Sequence, residues 1–329
     1  MRRYIVCVGA VYIDTILSVP KFPIEDEKLR ATDHARRRGG NGANTLEVLS
    51  QLINRADQDP GRRSHLHLLT VLPNENSAAT KFVRDSLPDV KIFSCIFRAG
   101  HSEAAASYIL QNAQNHSRTI ISHNPLPEMT PQEFIDKASV LAHQSDARGS
   151  WWHFEGRVPD ITLQCLEHLR SAPEQIDAKI SVECEKPERE GMAEVARLAD
   201  LVFYSRLWAN AKGHTDPRTF LDSQLESSLP GAILCCTWGE GGAVAVEKRL
   251  EGNHQWAKVQ AWKPNTGPAN VVDTIGAGDT LIAGMLFALN YYSNDWTLDQ
   301  KLAFANELAG RKVLQDGFTR LGNQMALAK

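Results

Sequence analysis

Gly276, Gly278 and Asp279 have types and a spacing that could do chemistry, in the stretch Asp273-Thr274-Ile275-Gly276-Ala277-Gly278-Asp279-Thr280. Behind them Leu281, Ile282, Met285, Leu286 and Leu289 recur at helical spacing, so the glycines form the turn before a helix. The first amides of a helix lack intrahelical partners and lie at the positive end of its dipole, and glycines let an anion approach them closely. A carboxylate beside such an anion is repelled unless it works there. One that takes the proton of an attacking hydroxyl, while the amides hold a transferring phosphoryl group, does that work. Taken alone, the stretch also reads as an Asp N-cap after a tight turn. A dinucleotide fingerprint fails because Leu281 stands where its third glycine belongs, and no GxxxxGK[ST] occurs anywhere in the chain.

The elements that must position these residues alternate. Short apolar runs, Tyr4 to Val8, Leu66 to Val71, Val90 to Phe97, Trp151 to Phe154, Ala178 to Glu183, Ala199 to Tyr204 and Gly231 to Trp238, are separated by helix-like segments near 43–53, from 78, 132–143 and 160–170. This order predicts a parallel sheet with helices on both faces. Two stretches, 15–38 and 94–122, break the rhythm with strand-like pieces joined by turn residues, and their pairing would make a small sheet projecting as a lid. With 36 Lys+Arg against 39 Asp+Glu, no global field recruits nucleic acid or an anionic membrane. The basic run at His34–Thr45 lacks the aromatic interleaving of a nucleic-acid contact. Cys7, Cys95, Cys165, Cys184, Cys235 and Cys236 show no CxxC spacing and read as buried thiols of a reducing compartment. No segment approaches the roughly 20 apolar residues of a membrane span, so a soluble cytoplasmic protein is expected.

Two long patterns go further. Val271–Leu286, "VVDTIGAGDTLIAGML", resembles the C-terminal signature of the ribokinase-like, or PfkB, carbohydrate kinases, and Arg36–Leu52, "RRRGGNGANTLEVLSQL", resembles their N-terminal one. Further segments, among them "WWHFEGR", "ISVECEKPERE" and "LCCTWGEGGA", are similar in order to the ketohexokinase branch of that family. The likeness implies a single domain over 1–329: a three-layer αβα sandwich with a β-clasp lid from 15–38 and 94–122. It implies ATP as donor, Mg²⁺ with the nucleotide and a ketose such as fructose as acceptor, and leaves a monovalent cation and a homodimer through the lid open.

By the same likeness Asp279 would be the general base, and the amides of Ala277, Gly278 and Asp279 the anion hole, with Gly276 shaping the turn. Asp14, taken to close the first strand, would bind sugar hydroxyls with Gly40, Asn41 and Asn44. Asp26 would reach a partner subunit's sugar site. Arg118, Trp238, Gly239 and Gly242 would serve the nucleotide. Each has a plainer reading, as turn residue, cap, buried tryptophan or solvated charge. The NxxE motif that many members use for Mg²⁺ is absent, Ser205-Arg206-Leu207-Trp208 standing in its place, so the metal falls to the ATP phosphates and to Glu183 or Glu185. A nucleoside kinase, or a ribokinase-fold binding protein with weak turnover, would share these signatures.

Overall fold

A computed structural model of the chain describes residues 4–57, 63–114, 117–143, 149–172, 177–250, 252–265 and 270–327. In chain order the first half holds β1 (Tyr4–Val8), β2 (Tyr12–Val19), β3 (Asp33–Gly39), α1 (Asn41–Ala56), β4 (His65–Leu69), β5 (Val71–Pro73), α2 (Ala78–Ser86), β6 (Val90–Lys91), β7 (Ile96–Arg98), β8 (Ala106–Asn112), β9 (Arg118–His123) and α3 (Pro131–Ala142). The second half holds β10 (Ser150–Phe154), α4 (Pro159–Ser171), β11 (Lys179–Cys184), α5 (Met192–Arg197), β12 (Leu201–Ser205), α6 (Arg206–Ala211), α7 (Pro217–Leu225), β13 (Ile233–Thr237), β14 (Ala243–Glu247), β15 (Gln255–Val259), α8 (Ala277–Tyr291) and α9 (Leu298–Lys312).

Nine strands form the central sheet in the order β15-β14-β13-β12-β11-β10-β1-β4-β6. Because successive side chains of a strand point to opposite faces, Ile5 and Cys7 join the core under α1, α8 and α9, while Val6 and Val8 join the core under α3 to α7. Both faces being covered, the central strands need continuous rather than alternating apolar runs. The result is three layers, helix–sheet–helix. The expected all-parallel sheet is corrected at one edge: β14 and β15 pair antiparallel to β13 and to each other. The six cysteines are free and buried within these cores. Among the described residues no helix is long and apolar enough to cross a membrane.

A second sheet, ordered β3-β2-β8-β9, is built from the two inserts. β2 pairs antiparallel with β3 and parallel with β8, and β9 closes the far edge. The run from Val90 to Phe97 divides into β6 and β7, and β7 pairs with β5 instead of joining the lid. One placement changes more. Asp14 does not end β1; it lies inside β2, opposite Arg37 of β3 and beside Ser107 of β8, so the lid itself carries it.

Candidate active site

Two helix starts meet beneath the lid. Helix α1 begins at Asn41, two residues ahead of its expected start, after Gly40 at φ 110°, where an added Cβ would stand 2.2 Å from the Ala10 carbonyl oxygen. Only glycine fits there, and the close approach presents Asn41 and Asn44 from the first turn. Helix α8 begins at Ala277 after Gly276 at φ 75°, with no side-chain cap. An added Cβ on Gly276 would collide with the Phe318 ring at 2.3 Å, whereas one on Gly278 would meet nothing within 4 Å. Asp279 is therefore not the N-cap. It is the third helical residue, 7% exposed, with its carboxylate turned inward.

Between the helix starts and the lid lies a cleft of ≈ 780 Å³. It gathers Asp14, Gly40, Asn41, Asn44, Arg118, Glu183, Glu185, Gly276, Gly278 and Asp279 from the residues expected at the site. Asn44 donates from Nδ2 to Asp279 Oδ2 at 2.7 Å, and its Oδ1 accepts from the buried Arg38 guanidinium at 2.7 Å. Arg38 is in turn ion-paired with Glu47. Since an arginine can only donate, this bond fixes which way the Asn44 amide faces. Thr45 Oγ1 donates to the Asp279 carbonyl at 3.2 Å, locking α1 against α8. The amide of Ala277 already donates to the Thr274 carbonyl at 3.3 Å, whereas those of Gly278 and Asp279 have no acceptor among the described residues. Of the three amides expected to form an anion hole, these two are the ones with no protein acceptor among the described residues.

On the other side, Asn41 Nδ2 donates to Glu183 Oε2 at 2.9 Å and His153 Nε2 stands 3.0 Å from Glu183 Oε1. Burial lowers the His153 pKa to about 3, so the ring is neutral. Trp151 Nε1 donates to Ser181 Oγ at 2.9 Å, and that hydroxyl stands 2.9 Å from His153 Nδ1, so the neutral ring bridges Ser181 and Glu183. Burial, then the charge of Glu183, raises the Asp279 carboxyl well above the carboxylate range, opposed by the Asn44 bond. Burial likewise raises Glu183, opposed by Asn41, and lifts the neighbouring Glu155 to about 7. Asp14 is raised by burial too, with Arg37 and Ser107 opposing. Arg37 Nη1 reaches Asp273 at 3.7 Å and Asp316 at 3.6 Å.

Other expected residues lie apart. Asp26 is exposed in the β2–β3 connection at φ 62° and does not line the cleft. Trp238, Gly239 and Gly242 form the turn between β13 and β14, where Trp238 N donates to the Gly242 carbonyl at 2.7 Å and a Cβ on Gly242 would meet Val259 O at 2.0 Å. Thr237, just before them, is the lining residue. Sequence reasoning missed Arg37, Arg38, Glu47, His153 and Lys312. Arg36 packs over the Phe82 ring, while Arg37 and Arg38 both line the cleft.

An αβα sandwich whose lid covers a cleft between open helix amides and a buried carboxylate defines a phosphotransferase acting on a small alcohol. Comparison with known proteins agrees. The profile described as pfkB family carbohydrate kinase matches residues 2–323. Ketohexokinase of Mus musculus is 30% identical over 322 residues, covering 96% of this chain and 98% of the relative. Ribokinase from Giardia lamblia superposes with a TM-score of 0.71 at 18% identity, covering 97% of this chain and 95% of that one. A nucleoside kinase from Methanocaldococcus jannaschii does so with a TM-score of 0.67 at 18% identity, covering 96% and 93%. The chain belongs to the pfkB family of carbohydrate kinases, and is an ATP-dependent sugar kinase. Likeness to both sugar and nucleoside kinases shows the fold and leaves the acceptor to be argued separately.

Proposed function

We propose that the chain phosphorylates a ketose of the fructose type, with Asp279 as general base. The observation that carries this reading is the placement of the Asp279 carboxylate, bonded to Asn44, between polyol-suited groups (Asp14, Asn41, Asn44 and the Gly40 backbone) and the open start of α8. Amides and carboxylates suit a polyol because each hydroxyl both donates and accepts. In this reading the sugar hydroxyl gives its proton to Asp279 as its oxygen attacks the γ-phosphorus in line and the bond to the β–γ bridging oxygen breaks. The amides of Gly278 and Asp279 hold the phosphoryl oxygens, and Arg118 reaches over them from the lid.

The donor set fits Mg²⁺ in part. No group of three or more His, Cys, Asp or Glu that could hold a metal is present among the described residues, but hard carboxylate oxygens face the cleft. Glu183 is engaged by Asn41 and His153, so Glu185 is the side chain that would hold the water shell of a nucleotide-bound Mg²⁺. When bound, the ion would offset phosphate charge. Two further readings follow. The outer lid face, with Leu17, Leu110, Tyr108 (51% exposed) and Ile121 (58% exposed), supports pairing with the lid of a second copy, which would bring Asp26 to its partner's sugar. The unpaired buried thiols suit a reducing cytoplasm.

An ADP-release assay against fructose, other ketoses, ribose, adenosine and sugar phosphates tests the acceptor. Fructose or another ketose is expected to give the highest kcat/KM. Turnover of adenosine without ketoses would instead assign a nucleoside kinase, and ADP release with no acceptor at all would sink both.

A further inference from the structure

Lys312, the last residue of α9, is 0% exposed, and burying an ammonium is costly unless it is paired and fully hydrogen-bonded. Its Nζ donates to Asp273 Oδ2 at 2.9 Å, to the Asp273 carbonyl at 3.1 Å and to the Gln315 carbonyl at 3.3 Å. Three protons meet three oxygens. The Phe318 ring centroid lies 5.3 Å from Nζ. That same ring abuts Gly276, at the entry to α8.

The site is tied into the phosphate-side turn at several points. Asp273 Oδ1 accepts from the Ile275 amide at 2.9 Å, and the amides of Val272 and Asp273 donate to the Val313 carbonyl at 2.8 and 3.3 Å. Burial acts to raise the Asp273 carboxyl, but Lys312, the Ile275 amide and Arg37 outweigh it and hold it below the usual range. A carboxylate oxygen and two carbonyl oxygens converging on one point are hard donors of the kind that hold a monovalent metal ion. Here an ammonium takes all three. A free potassium ion fits these donors only if the lysine leaves them.

We infer that Lys312 is a built-in cation for the phosphate-side turn: it braces Asp273–Gly276 so that the α8 amides are set for the nucleotide phosphates, and frees the chain from a monovalent-metal requirement at this point. The inference rests on the kinase reading above. Lys312 is a positioning residue, since it acts through the turn and touches neither substrate.

The test has two arms. In the first, ADP affinity is measured by calorimetry for the full chain in choline chloride and in potassium chloride of equal ionic strength; this arm needs no acceptor and survives failure of the ketose reading. Wild type is expected to bind equally in both. A several-fold gain in potassium would overturn the inference. In the second, Lys312→Ala and the bulkier Lys312→Met are compared for ADP affinity and kcat, with circular dichroism to establish folding. Misplacing a catalytic turn can cost about 10²-fold, so Lys312→Ala should lose about that much in kcat and recover a large part in ammonium or methylammonium but not in choline. Lys312→Met, whose side chain fills the space, should be equally impaired and refractory to rescue. Near-normal activity in either folded variant, or a deficit in Lys312→Ala that no small cation restores, would refute it. If neither variant folds, the potassium comparison on wild type decides alone.

Discussion

At the scale of single residues the site is a chain of constrained polar groups: Glu47 holds Arg38, Arg38 orients Asn44, and Asn44 donates to Asp279. The proposed base is thus held by a donor that its amide isostere can still accept from. Asp279→Asn is expected to lower kcat on the order of 10²–10⁴-fold while leaving sugar affinity and the melting temperature near wild type. Steady-state kinetics beside sugar binding by calorimetry would check this, and near-normal turnover would remove Asp279 from the mechanism. The pH dependence has a defined sign. Because burial and Glu183 raise the Asp279 pKa, the proposed base would be lost by protonation at a higher pH than a free aspartate would show. The acidic limb of kcat/KM should therefore move to lower pH in Glu183→Gln, and a pH–rate profile reads it directly.

At the scale of elements, helix α3 offers a stability test remote from the cleft. Thr130 and Glu133 form a capping box at its start, and Glu133 is ion-paired with Arg98 of β7, whose Nη2 stands 3.0 Å from Oε2. The Arg98 bond, then the Thr130 amide, outweighs burial and lowers the Glu133 pKa to about 2. A carboxyl whose folded pKa is depressed stabilises above its unfolded value, near 4.5, and loses that contribution as pH falls toward about 2. Glu133→Gln should cost about 1 kcal/mol near pH 7, the group being largely solvent-screened, and the gap from wild type should narrow below about pH 5 and close as pH approaches about 2 in urea titrations. What could be read in advance divides along similar lines. The starts of α1 and α8 were legible because glycine, aspartate and asparagine chemistry is local. His153, Arg38 and Lys312 were not, because their partners lie on other strands or across a turn: His153 meets Glu183, and Lys312 meets Asp273. The β14–β15 hairpin carried a signal that went unread, the alternating Ala243-Val244-Ala245-Val246 and the turn glycine Gly252. Asp14 was misplaced because β1 ends at Val8 and a separate strand starts at Tyr12.

For the whole molecule, the proposed pairing of lids would make the functional unit two chains rather than one. Tyr108→Asp together with Ile121→Asp on its outer face should shift the sedimenting species from dimer to monomer, and should raise the KM for sugar to the level of Asp26→Ala if that acid serves a partner's cleft. Variants that sediment like wild type would remove the lid as the interface. The buried thiols have a consequence of another kind. Burial pushes Cys95, Cys165 and Cys236 to about 12 and raises Cys7, Cys184 and Cys235 as well, so none is a thiolate at neutral pH or within reach of a reagent. The cysteines therefore act as six clocks set in different places, each started only when its own part of the structure opens. Alkylation followed peptide by peptide should show Cys7 of β1, Cys184 of β11 and Cys235 of β13 modified together at the rate of global unfolding, while Cys95, in the short connection before β7, reacts first.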